Sequence, residues 1–153
     1  MKKYFQNILM AGVLISHASL YPFTVKTPTD LGNWLSANFE YKEDIEDYWQ
    51  SPEETAKLKS GDCEDSGFLV DTVLSDLGYK SYTFAMTFDN RDTSHAINVL
   101  QIDNKYTMYS NFNYYDAEFN SIRALLNHYY PHWEKLYLIS LKFPNKGILV
   151  KMR

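Results

Sequence analysis

Apolar positions along this chain follow two rhythms. Phe68, Leu69, Val70, Val73, Leu74 and Leu77 recur at three- and four-residue steps and predict an amphipathic helix. Asp62 stands at its start as an acceptor for the free N–H groups of the first turn. Asp65, three residues on, completes a capping box, and Gly78 is placed to end the helix in a left-handed conformation. Leu31, Trp34, Leu35 and Phe39 repeat the rhythm in a shorter helix capped by Thr29 and Asp30. Ile122, Leu125, Leu126 and Tyr129 carry it across residues 120–130, where Pro131 stops it. Alternation replaces it from Tyr79 to Phe88 and again from Ser94 to Ile102, both rich in β-formers. Asp103-Asn104 then signals a two-residue hairpin into a strand from Lys105 to Tyr109. Leu136 to Phe143 and Ile148 to Met152 read as two closing strands around Pro144-Asn145-Lys146-Gly147.

The stretches between are more polar. Tyr21 to Pro28 reads as an extended linker, and Glu40 to Asp47 as a solvated acidic loop or helical turn. Ser51-Pro52-Glu53-Glu54 and Lys57 to Ser60 read as turn and loop, and Asp89 to Thr93, with Arg91, as a polar turn before His95. Phe112 to Phe119 is aromatic and acidic, a cleft wall or a packed loop. Helices at the front, packed on an antiparallel sheet, make an α+β domain. A chain of 153 residues suffices for one such core and is too short for two.

Composition narrows the function classes. The formal charge is −4 and no basic run exceeds two residues, so the electrostatic footprint of a nucleic-acid binder is missing. Thirteen tyrosines within an aromatic content of 16% suggest aromatic-lined grooves as well as a core. Lys2 and Lys3 precede an apolar run from Ile8 to Ile15, too short to span a membrane, and Ser16-His17-Ala18 has the small residues of a signal-peptidase site. Residues 1–20 are therefore either a signal peptide or a segment packed on a single domain of residues 21–153. The second alternative, and with it the cytoplasm, is preferred to export.

Candidate chemistry centres on the only cysteine, Cys63, in Ser60-Gly61-Asp62-Cys63-Glu64-Asp65. A helix start stabilises a thiolate, while the neighbouring carboxylates oppose it. Cys63 is a nucleophile or a small buried hydrophobe, and this segment alone leaves both open. His95 opens a strand well downstream. Taken with Tyr48-Trp49-Gln50-Ser51-Pro52-Glu53-Glu54-Thr55, Leu77-Gly78-Tyr79 and His95-Ala96, the run around Cys63 resembles the bacterial transglutaminase-like cysteine proteinase family, from Pro28 to about Phe112. The resemblance implies a papain/transglutaminase-like fold, with a nucleophile at a helix N-terminus and the histidine on the sheet. It also implies a cysteine peptidase or amidase working through a thioester, with a protein or peptide substrate. An acyl transferase with an amine acceptor is an alternative outcome of the same intermediate.

The third catalytic position departs from the family pattern. A two-residue turn at Asp103-Asn104 pairs Ile97 with Ser110 and puts Ser110 on the face of His95, where the family carries an Asp. Ser110 can hydrogen-bond the imidazole but cannot neutralise its charged form. Asn111 is the neighbouring candidate, since Cys-His-Asn arrangements also work, but it needs a bulge or strand end to reach that face. A lapsed enzyme that keeps a peptide-binding groove is the rival reading. Trp49 and Gln50 are candidates for an oxyanion hole beside the Cys63 backbone N–H, with a structural anchor as the plainer role for Trp49. No cofactor is required. Asp62 and Glu64 could take part in a calcium site, as in exported members of the family, but two carboxylates do not make one and helix capping is preferred. His128 and His132, split by Pro131 with no third ligand, read as surface histidines.

Overall fold

The computed structural model describes residues 20–89, 92–141 and 148–152. The expectations for residues 1–19, for Asn90 and Arg91 and for the turn at 144–147 lie outside the described residues. Helix α1 spans Pro28–Asn38, α2 Pro52–Leu58, α3 Cys63–Asp76 and α4 Ile122–Tyr129. Short strands β1 (Glu40–Tyr41) and β2 (Ser60–Gly61) pair in parallel. The main sheet holds β3 (Lys80–Phe88), β4 (Ser94–Ile102), β5 (Lys105–Ser110), β6 (Asn113–Phe119), β7 (Trp133–Leu138) and β8 (Ile148–Met152). It is antiparallel throughout, in the order β6-β5-β4-β3-β7-β8. Among the described residues no helix is long and apolar enough to cross a membrane.

The predicted hairpin register holds: Ile102 pairs with Lys105 and Asn98 with Tyr109, with Asp103 and Asn104 both at positive φ in the turn. Alternation then sorts the side chains between two cores. Leu100 and Tyr109 pack with Leu31, Leu35, Leu69, Val73 and Leu74 of α1 and α3. Ile97, Val99 and Met108 pack with Leu125, Leu126, Trp133 and Leu136 on the side of α4. His95 has the parity of Ile97 and Val99. Cys63, at the start of α3, packs instead with Phe68, Ala96 and Ile139. The two meet at the end of the sheet where β4 begins.

Close approaches hold α3 in place. A Cβ at Gly67 would lie 2.5 Å from Thr83 Cγ2, and the Thr83 hydroxyl donates to the Gly67 carbonyl at 3.0 Å. Ser66 Oγ accepts the Phe112 N–H at 2.9 Å and pins the β5–β6 turn to the same helix. Gly78 ends the segment at φ +84°, as its sequence position predicts.

Four local expectations need correction. The stretches 51–54 and 57–60, read as turn and loop, fall largely within α2, capped by Ser51 Oγ on the Glu54 N–H, with Pro52 at the first turn. Helix α1 is capped by Thr27 rather than by Thr29 and Asp30; Asp30 is instead the reciprocal partner, accepting the Thr27 N–H. Residues 113–119 form a strand, not a loop, because Asn111 and Phe112 fold into a two-residue turn and reverse the chain. Strand β7 begins at Trp133 rather than Leu136, since Trp133 is fully buried under α4 with its indole N–H on Asn127 Oδ1 at 3.0 Å.

Candidate functional site

Cys63, Glu64, Ser94, His95, Ala96, Ala85, Ile139, Asp47 and Trp49 enclose a cavity of about 120 Å³. The start of α3 is built to place the sulfur there. Asp65 Oδ2 accepts the Asp62 N–H at 3.2 Å, its half of the expected capping box, while Oδ1 accepts the Gln50 N–H at 2.8 Å. One buried carboxylate thus ties the helix start to the strap that carries Trp49. Trp49 packs against Phe68 with the rings tilted at 50° and 5.3 Å between centroids, and its Nε1 is buried without a hydrogen-bond partner. Gln50 does not join it: Gln50 Oε1 accepts the Thr55 hydroxyl at 3.1 Å, and the residue lines a separate cleft of the acidic loop.

The charge around the sulfur is unfavourable to a thiolate. Burial pushes the Cys63 thiol up, and Glu64, whose Oε2 accepts the S–H at 3.0 Å, pushes it further; the Ala96 N–H acts the other way. Burial also raises both carboxyls beside it, Asp62 to about 7 with Glu64 as the second cause. Asp62 Oδ1 is buried and accepts no hydrogen bond. Asp62, Cys63 and Glu64 offer ligand atoms within 4.8 Å of one another. Among the described residues no comparable cluster includes His128 or His132; His128 packs on Phe119 and Tyr129.

On the imidazole side, Nε2 of His95 lies 2.8 Å from Ser110 Oγ, as the hairpin register requires. Asn111 is not the partner. It occupies the turn at φ 48°, next to Phe112 at φ 65°, and its Oδ1 is buried without a partner. Ser110 Oγ is also hydrogen-bonded at 3.1 Å to the hydroxyl of Tyr130, whose ring centroid is 5.5 Å from that of His95. Burial lowers the pKa of His95, favouring the neutral ring. Sequence reasoning missed Tyr130: it follows α4 as an ordinary helix end, and only the tertiary fold brings it to β5. It also missed Asp47 at the cavity, because a charged loop residue carries no local signal of that placement.

The arrangement has the parts of nucleophilic acyl chemistry. A thiol at a helix start shares a cavity with an imidazole whose other nitrogen is held, and an unpartnered indole N–H lies on the wall.

A family model described as a transglutaminase-like domain matches residues 15–111, a span that includes Cys63, His95 and Ser110. The UPF0252 protein of Archaeoglobus fulgidus is 36% identical over 59 residues, 39% of this chain and 19% of that protein, so the chain aligns with less than a fifth of that relative. Calcium-bound LapG of Legionella pneumophila superposes with a TM-score of 0.56 at 19% identity, over 84% of this chain and 72% of LapG. A second LapG structure gives 0.54 at 17%, over 80% and 68%. At these identities the likeness is one of fold: mixed helices and antiparallel sheet of the papain/transglutaminase-like kind.

Proposed function

This chain belongs to the transglutaminase-like domain family, and on that footing we propose that it is a cysteine-dependent hydrolase of amide or peptide bonds. The observation that carries the proposal is the shared cavity of Cys63 and His95, with Nε2 of the ring held by Ser110. Nδ1 of His95 takes the thiol proton while sulfur attacks the carbonyl carbon. The N–H groups at the start of α3 and Trp49 Nε1–H stabilise the oxyanion. The C–N bond breaks, the amine leaves with the proton from His95, and the thioester remains on Cys63. His95 then deprotonates a water that attacks the thioester, which releases the carboxylic acid and returns the proton to sulfur. A cavity of about 120 Å³ accommodates the reacting carbonyl and a small neighbour. The rest of a peptide substrate lies outside it.

The test is turnover of a diverse peptide mixture, followed by mass spectrometry, with Cys63→Ala as control. New peptide termini with the native protein and none with the variant are expected. A second reading, a peptide-binding module that has lost turnover, is favoured by the neutral Ser110 and by the upward push on the thiol. Binding of the mixture without cleavage, together with alkylation of Cys63 no faster than an ordinary thiol, would establish it instead.

Calcium fits this site on one observation, the buried and unpartnered Asp62 Oδ1 beside Glu64. Carboxylate oxygens suit calcium, whereas the sulfur between them does not. Asp62 and Glu64, with Asp47 on the same cavity, would hold it, and water would fill the remaining positions. Calcium held there would offset the negative charge that opposes the thiolate. Addition of calcium well above its Kd is expected to raise the melting temperature by roughly 5 °C. Loss of that shift in Asp62→Asn is the check. An unmoved melting temperature in the native protein removes calcium from the proposal.

A further inference from the structure

We propose that a second pocket beside the catalytic cavity is a substrate subsite for a lysine or arginine side chain, with Asp71 as the residue that selects it. The inference rests on the hydrolase reading above and names its substrate class. Phe68, Asp71, Thr72, Ser140 and Leu141 line this pocket, which holds about 190 Å³. Two walls run into it from the reacting centre. On α3, Glu64, Phe68 and Asp71 follow one another on one helix face, and Glu64 borders the catalytic cavity. Opposite, Ile139 borders the catalytic cavity, and Ser140 and Leu141 after it line the second pocket. The helix rises about 10 Å from Glu64 to Asp71. An extended peptide covers that span in about three residues.

The polar groups of the pocket call for a guest that donates and carries positive charge. Asp71 is half-buried, and its Oδ1 accepts the Ser81 hydroxyl at 2.6 Å. Burial raises its pKa, while hydrogen bonds from Ser81 and Asn98 lower it. Both partners are neutral, so they hold the carboxylate without cancelling its charge. Among the described residues no lysine, arginine or histidine pairs with it. Thr72 gives its one hydroxyl proton to the Phe68 carbonyl at 2.9 Å, so toward a guest it can only accept. Phe68 and Leu141 supply apolar wall for the methylenes of a long side chain, whose charged head then meets Asp71 and Thr72. Ammonium and guanidinium groups are donors throughout, the complement of this set.

The pocket is probed without turnover by n-butylguanidinium, a cationic head on an alkyl stem, with n-butylurea as its neutral counterpart. Titrated into the full ¹⁵N-labelled chain, the cation should move the amide signals of Asp71 and Thr72 saturably, and the urea should not. Asp71→Asn keeps an oxygen for Ser81 and should weaken binding roughly 10-fold or more. Ser140→Lys leaves Asp71 and Ser81 in place, puts an ammonium on the opposite wall and should also exclude the probe. That variant separates a carboxylate that binds from one that only ties α3 to β3. No saturable shift, an equal response to the urea, or native-strength binding in either variant overturns the proposal. In the peptide digest, lysine or arginine should be enriched at one fixed position within about three residues of the cut bond, and Asp71→Asn should erase the enrichment. Cleavage without that enrichment overturns the subsite. Saturable probe binding with no cleavage by the native protein strikes the hydrolase reading alone, and leaves the pocket to serve peptide capture.

Discussion

Replacing His95 by alanine is expected to slow alkylation of Cys63 by iodoacetamide by roughly 100-fold at neutral pH, and to abolish peptide cleavage with it. A positioned base is worth on the order of 10²–10⁴-fold, and this thiol depends on its base heavily. Burial and Glu64 hold the sulfur protonated, so without the imidazole little thiolate forms near neutrality. The pH dependence carries a second signature. Burial moves the His95 pKa down, so the ring stays neutral, and able to accept a proton, below its ordinary value of about 6.5. The native rate should therefore hold on the acid side of that value and fall only when the ring is finally protonated. In His95→Ala that limb disappears and the rate simply climbs with alkali. His95→Gln, closer in size and still polar, guards against a packing artefact. Equal rates in native and variant protein would leave Cys63 an ordinary thiol.

The change with the largest expected gain is Ser110→Asp, which should raise the alkylation rate roughly 10- to 30-fold. Ser110 Oγ already sits 2.8 Å from Nε2, so the new carboxylate arrives at hydrogen-bond distance without rebuilding the hairpin. An opposite charge that close shifts a pKa by about 1–3 units. It favours the imidazolium and therefore the thiolate that forms with it. Part of the gain is given back, since a thiolate of lower pKa is intrinsically less nucleophilic. The Tyr130 hydroxyl and Nε2–H both donate to the new group, which limits the cost of burying it. Stopped-flow alkylation of the two proteins side by side measures the gain. A rate unchanged by the carboxylate would mean that His95 does not govern the thiol.

The parts of this site that lie on regular elements were legible in the sequence, and the parts that depend on neighbours were not. Helix α3 announced itself by its apolar spacing and by Asp62, Asp65 and Gly78, which fixed Cys63 at its start. The Asp103-Asn104 turn fixed the parity of Ser110 against His95, because a two-residue hairpin leaves no freedom in register. Helix α2 went unread although Ser51 and Pro52 are start signals, because seven residues with only Pro52 and Thr55 buried show no apolar rhythm. The turn after Ser110 went unread for a different reason. Phe112 adopts a left-handed conformation that phenylalanine does not favour, held by the buried ring and by Ser66, so the sequence carries none of the glycine that usually marks such turns. Trp49 and Gln50 are adjacent and equally plausible as donors. Which one faces the cavity is decided by Asp65 and Thr55, from outside the segment.

The hydrogen bond from the Phe112 N–H to Ser66 Oγ has a consequence for how this site moves. Hairpin tips are ordinarily among the first places to open, on their own and at little cost. This tip is anchored three residues past the nucleophile, and the fully buried Phe112 ring packs with Val70 and Leu74 of the same helix. Ser110, just before the tip, and Cys63, just before Ser66, therefore belong to one cooperative unit. Fluctuations that part the imidazole's support from the sulfur require the hairpin to come away from the helix, a sub-global opening rather than loop breathing. The site is kept assembled by the packing of this hairpin on the helix in the domain core, not by the stiffness of its own loops.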